Sequence, residues 1–177
     1  MVTTTSAFSA RIDLFADQAM TQCSLVDNGQ FTPVYVFWSG PEQASAVYFS
    51  APLPACWTGA SWVGDGMPGY RAWIGNSQTA LYVTLFAPGI AECKTQALIC
   101  TIYFVTSGGA QPCCDMKVLP VQNTYELYPL EYFDCFSSTY PASAGTKITI
   151  NPNASCQCGG PLATEPTSWG RVKSLYR

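Results

Sequence analysis

The stretch that most constrains the fold runs from Gln96 to Cys114, QALICTIYFVTSGGAQPCC. It holds the longest run of strand-forming residues in the chain, then a Gly-Gly turn, then two adjacent cysteines. In an extended backbone Leu98, Cys100, Ile102 and Phe104 share one face, and Ile99, Thr101, Tyr103 and Val105 share the other. Both faces are largely apolar, so the run reads as a central strand buried on both sides. Adjacent cysteines rarely bond each other without strain in the peptide between them. Cys113 and Cys114 are therefore expected to tie the end of this strand to two other parts of the chain.

Nine cysteines are spread over most of the sequence. In a reducing compartment they would be metal ligands in repeated C-x2-C pairs. Here only Cys156-x-Cys158 and the vicinal pair are close, neither with zinc spacing, and no metal or cofactor is expected. The pattern fits an oxidising, extracellular or cell-surface setting. Because nine is odd, at least one thiol is unpaired or joins another chain. Cys100 is the expected free thiol, since on a buried strand face it serves as a small hydrophobe. Cys23, Cys56, Cys93, Cys113, Cys114, Cys135, Cys156 and Cys158 are then expected in four disulfides, with on the order of 100 pairings open. An exported protein should begin with a signal peptide, yet Met1 to Ala10 has no basic or apolar region of that kind. Either the chain is the processed form or export uses another route.

Charged residues make up 11% of the 177 residues, while 14 Gly, 13 Pro and 14% aromatics fit a turn-rich β protein. A net charge of −3 is too small and of the wrong sign to neutralise phosphates, which argues against nucleic acid as a partner. No window approaches the roughly 20 apolar residues of a membrane-spanning helix. There is no histidine, so the commonest general base is missing and a Ser or Cys nucleophile lacks its usual activator. No catalytic residues are assigned and the chain is read as a non-enzyme.

Along the chain, Ala10 to Phe15 alternates as a half-buried strand, followed by a loop with an Asn28-Gly29 turn. Val34 to Trp38 and Ala46 to Ser50 read as a strand pair separated by SGPEQAS. Ala51 to Gly69 is dense in Pro and Gly and reads as a long loop anchored by Cys56. Tyr70 to Ile74 and Thr79 to Phe86 read as strands across a Gly75-Asn76 turn, and Ala87 to Lys94 as a turn. After the central strand come Met116 to Leu119, an edge strand from Tyr125 to Phe133 broken by Pro129, and Thr146 to Ile150. The fold class expected is all-β: a disulfide-bonded antiparallel β-sandwich of about eight or nine strands with long loops and a short C-terminal tail.

Four regions are expected: an arm over 1–9, the sandwich over 10–158, a Pro/Gly linker over 159–167, and a basic aromatic tail over 168–177. The tail, SWGRVKSLYR, carries three of the eight basic residues, and without them the body moves from −3 to −6. Trp169, Val172 and Tyr176 fall on one helical stripe.

Several phrases together resemble a group of small exported cysteine-rich β proteins of unknown function from uncultivated bacteria. They are FADQAMTQCSLVD (15–27), SAPLPACWTGASW (50–62), IGNSQT (74–79), PCC with VLP (112–114, 118–120), ITINPNASCQC (148–158) and a closing tail of the form WG-x-[VI]-K-x-LY. The resemblance implies export and matches the eight cysteines other than Cys100. It implies no activity.

Three function readings follow: a polysaccharide-binding module, a structural subunit and, compatible with either, a tail that is a sorting tag for export or surface attachment. Trp57, Trp62, Tyr70 and Trp73 are candidates for a glycan-stacking platform, which would make the chain a secreted polysaccharide-binding, lectin-like module; otherwise they are core aromatics. Asp13, Asp17 and Asp27 lack the spacing of a calcium loop, and Glu126 with Glu131 is too common a pair to mark a glycosidase. Asn153, in an N-x-S sequon, is a candidate glycosylation site. The reading weighed most is an extracellular structural protein, a homo-oligomer or polymer whose arm and tail pack on neighbouring copies in a filament or surface layer. Trp169, Arg171, Val172, Lys173, Leu175 and Tyr176 are its candidate partner-binding residues. Alkylation of the unreduced, denatured protein followed by peptide mapping should label Cys100 and no other cysteine; label elsewhere contradicts the assignment.

Overall fold

The structure, a computed structural model, describes residues 10–69, 71–85, 93–122, 127–128 and 130–158. Among the described residues every regular element is a strand. They are β1 (Arg11–Phe15), β2 (Ser24–Leu25), β3 (Phe31–Phe49), β4 (Trp57–Gly66), β5 (Trp73–Asn76), β6 (Ala80–Thr84), β7 (Lys94–Ala110), β8 (Cys114–Met116), β9 (Val121–Gln122), β10 (Leu127–Tyr128), β11 (Glu131–Asp134), β12 (Thr139–Pro141), β13 (Ser143–Ala144) and β14 (Ile148–Ile150). The protein is an all-β, disulfide-bonded sandwich.

Its architecture follows from β3. The first half, up to Ser39, pairs with β1 on one side and β7 on the other. The second half, from Ala44, pairs with β11 and β6. One layer is therefore β13-β1-β3-β7-β4 and the other β12-β11-β3-β6-β5, with β3 common to both. The register breaks between Ser39 and Ala44, where the strand turns from one layer into the other. A Cβ on Gly40 would stand 3.1 Å from the Trp38 ring and 3.2 Å from the Ala10 backbone, so the bend suits a residue without a side chain.

Alternation places Val34, Val36 and Trp38 inward from the first layer, with Ile12 and Leu14 of β1 and Ile102 and Phe104 of β7. Val47, Phe49, Leu81, Val83 and Tyr132 face them from the second. Trp38 joins the layers: its ring lies 4.8 Å from that of Tyr132, and its Nε1 donates to Lys94 O at 3.0 Å. A smaller sheet, β2-β14-β8, closes one end through Ile148, Ile150 and Met116, all fully buried. β9 and β10 form a separate two-stranded ribbon. Most pairs are antiparallel, but β1 with β13 and β2 with β14 run parallel.

Four disulfides join Cys23 to Cys158, Cys56 to Cys114, Cys93 to Cys135 and Cys113 to Cys156. The vicinal cysteines thus go to the start of β4 and to the loop after β14. Cys100 is a free thiol buried on β7, and burial pushes it well above the usual thiol range.

Several boundaries differ from the sequence reading. Val34 to Trp38 and Ala46 to Ser50 are one strand rather than a pair, because SGPEQAS bends between layers without reversing direction. The expected long loop from Ala51 to Gly69 contains β4. Its glycines allow bulges against β7, and Gly59 adopts φ +78° at one of them. The Gly-Gly turn is absorbed into β7, which continues to Ala110. Gly75-Asn76 lies within β5, and the reversal falls on Ser77 to Thr79. β11 is not an edge, since it pairs with both β3 and β12. β7 is buried on one face only over its C-terminal half: Val105 is 49% exposed. The arm, linker and tail lie outside the described residues.

Replacement of Trp38 by Ala removes the largest side chain between the layers. It should cost about 3–5 kcal/mol in urea unfolding of the oxidised protein; a loss under about 1 kcal/mol would show that Trp38 does not couple the layers.

Candidate interaction surfaces

The outward positions of a sandwich exposed to water are normally polar. Here they are not. Along the first half of β3 the row opposite Val34, Val36 and Trp38 consists of Phe31, Pro33, Tyr35 and Phe37. Phe31 is 58% exposed and pairs with the exposed Val105 of β7. Its ring stacks on Tyr103 at 5.2 Å, and Tyr103 in turn lies over Gly66 of β4, where a Cβ would come within 2.7 Å of it. Phe37 meets Phe15 of β1 edge-on at 5.9 Å. The row is thus apolar throughout, buried at Phe37, half-buried at Pro33 and Tyr35, and exposed at Phe31. On the second layer Tyr82 meets Phe133 edge-on at 5.5 Å, and Tyr48 lies between β6 and β11 in the same row as the exposed Ile74 of β5.

The end of the sandwich beside β4 is pinned by Asp27. Its Oδ2 accepts from Trp57 Nε1 at 3.1 Å and from the Ala110 N–H at 2.9 Å, and its Oδ1 from the Gly29 N–H at 3.4 Å. Burial acts to raise this carboxyl, but hydrogen bonding with Thr106, Ala110, Gly29 and Trp57 prevails and holds it below the usual carboxylate range. Asn151 completes the node, accepting from the Asp27 N–H and donating to Ala110 O. Across the sandwich, Asp65 of β4 accepts from the N–H and hydroxyl of Ser77 and from Trp62 Nε1.

This geometry corrects the stacking platform. Trp57 is 2% exposed, packed 4.9 Å from Phe104 with its indole nitrogen on Asp27, so no glycan reaches it. Trp62 is 36% and Trp73 52% exposed, on separate strands β4 and β5, and Tyr70 lies outside the described residues. Asp13, Asp17 and Asp27 do not converge. Asp13 accepts from the Thr146 N–H and pairs with Arg11, while Asp17 accepts from Thr21 and Gln22. Among the described residues no group of three or more metal-binding side chains occurs. Asn153 is exposed, its carbonyl accepting from the N–H and hydroxyl of Ser155. Glu131 sits on β11 opposite Tyr48. Glu126 and the tail residues Trp169, Arg171, Val172, Lys173, Leu175 and Tyr176 lie outside the described residues. Among the described residues no helix is long and apolar enough to cross a membrane.

The outward apolar row escaped the sequence reading, although its signal is visible in FTPVYVFW, where both alternating sets are apolar. A two-sided apolar strand suggests burial on both faces; here the second face is covered at Phe37 but open at Phe31.

No protein-family model and no curated protein matches the chain. Solved structures do. A cohesin module from a family 33 glycoside hydrolase of Clostridium perfringens aligns with TM-score 0.56 at 5% identity, covering 83% of this chain and all of that one. The sixth cohesin of Acetivibrio cellulolyticus scaffoldin B, solved in complex with a dockerin, aligns with TM-score 0.52 at 15% identity over 84% of this chain and all of that one. At these identities the likeness is one of fold: a cohesin-like β-sandwich.

The lowered Asp27 carboxyl gives an acid dependence of known sign. A depressed folded-state pKa adds stability above the unfolded value near 3.8, lost as pH falls through the folded value. The urea midpoint should fall below about pH 4. Asp27→Asn, which turns an amide toward two N–H donors, should lower neutral-pH stability by about 2–3 kcal/mol and flatten the acid limb. An unchanged limb would rule out Asp27 as its source.

Proposed function

We propose that the protein is an extracellular, non-enzymatic structural subunit that self-assembles into a filament or surface layer, with the 1–9 arm and the 168–177 tail packing on neighbouring copies. The observation that carries this reading is the outward apolar patch of Phe31, Tyr103 and Val105. A soluble monomer gains nothing by holding such side chains in water, whereas a neighbouring protein surface covers them favourably. Four disulfides suit a protein that persists outside the cytoplasm. The cohesin-like fold supports the same reading at one remove, since a cohesin of this architecture is seen holding a dockerin. A lectin-like role is not favoured, because burial of Trp57 removes the centre of the platform.

Electron microscopy and sedimentation of the full chain, beside a version ending at Gly160 and a Phe31→Ser, Val105→Thr variant, test the proposal. Filaments or sheets are expected in the full chain, with dispersed particles in both altered forms. Monomers in all three would overturn it.

A further inference from the structure

At the bend of β3 lies an open cavity of about 340 Å³, lined by Glu42, Gln43, Asp134, Cys135, Phe136 and Tyr140. Its walls are held by the fold. Asp134 Oδ1 accepts from the N–H groups of Phe136 and Ser138, both at 2.8 Å, and the Asp134 N–H donates to Ser138 O at 3.0 Å. Cys135 is bonded to Cys93. Ser45 Oγ, from β3, lies 2.7 Å from Asp134 O. Tyr140 stacks on Tyr132 at 5.5 Å, and Tyr132 packs on Trp38. On this braced turn Phe136 is 88% exposed, a large apolar side chain displayed to solvent rather than used by its own core. Two aromatic rings and two carboxylates thus share one cleft, and among the described residues no lysine or arginine lines it. That combination recognises a cationic side chain, through the ring faces and through charge-assisted hydrogen bonds.

We propose that this cavity receives the basic aromatic segment 168–177 of a second copy, with Arg171 or Lys173 between Phe136, Tyr140 and Glu42. The inference rests on the self-assembly reading and names its receptor. Charge favours the pairing, since the segment carries Arg171, Lys173 and Arg177 while the rest of the chain is acidic. Position suits a second copy. Arg11 of β1 pairs with Ser39 beside the bend, whereas Phe15 pairs with Tyr35, away from it. Cys23, bonded to Cys158, follows the Phe15 end. The chain therefore leaves the sandwich at the end opposite the cavity, a head-to-tail arrangement that repeats into an open filament.

The test titrates a fluorescent acetyl-SWGRVKSLYR peptide onto the full-length chain carrying Arg171→Glu and Lys173→Glu, so that its own segment does not compete. Binding is expected to weaken by about tenfold or more with Glu42→Lys or with Phe136→Ser, both at exposed positions. It should also weaken as salt is raised. No binding, or binding unchanged in both variants, overturns the inference. Microscopy of the same two substitutions in the otherwise unaltered chain separates the two readings. Filaments that persist in both overturn the cavity as receptor and leave assembly standing. Monomers even without substitution, together with cavity-dependent peptide binding, overturn the filament and leave the receptor.

Discussion

Everything in this sandwich depends on β3 being one strand shared by two layers. A strand has two hydrogen-bonding edges, and each half of β3 uses both: β1 and β7 before the bend, β11 and β6 after it. The 19-residue strand therefore sets the register of four neighbours at once. The bend at Gly40 fixes how the layers approach, and Trp38 fills the space that the approach leaves. Its contact with Tyr132 passes that constraint on to β11, the turn after it, and the cavity beside the bend.

The opposite end is tied differently, by covalent and polar links among short segments whose buried side chains, Met116, Ile148 and Ile150, join the main core. Cys56–Cys114 and Cys113–Cys156 bring β4, β8 and the loop after β14 together, and Asp27 with Asn151 satisfies the backbone groups stranded between them. Strands of two or three residues have few interstrand hydrogen bonds of their own, so crosslinks and a buried carboxylate add to the apolar area they share with the core. For the proposed assembly, exposed Phe31 and Phe136 on crosslinked, hydrogen-bonded segments would lose little ordering entropy when a neighbour covers them.

Much of the fold was legible in the sequence. Alternation located β1, β6, β7 and β14, and the odd cysteine count with Cys100 on an apolar face pointed to the thiol that the structure leaves free. The errors cluster where glycine and proline interrupt a strand. SGPEQAS, the Gly-Gly of β7 and the Gly-rich stretch of β4 all carry turn chemistry, yet none reverses the chain: β4 and β7 hold each other extended, and SGPEQAS, unpaired over 40–43, is held by the pairing of β3 on either side of it. Local propensity for a turn is worth less than a full set of interstrand hydrogen bonds, and only the neighbour's position reveals which applies. The interaction surfaces were less legible still. Trp57 and Phe31 are both large aromatics in strand-like runs. One lies under the β4 edge with its nitrogen on Asp27, and the other faces water.

The sequence by itself determined what period-2 patterning and composition can encode: an all-β, crosslinked sandwich, because alternation and cysteine number are local properties of the chain. Tertiary structure decided that two apparent strands are one, which cysteines meet, which aromatics are buried, and that Glu42, Phe136 and Tyr140 share a cleft. These depend on segments roughly 90 residues apart, such as Ser45 and Asp134. Residues so distant in the chain are brought together only by the register of β3 with its neighbours.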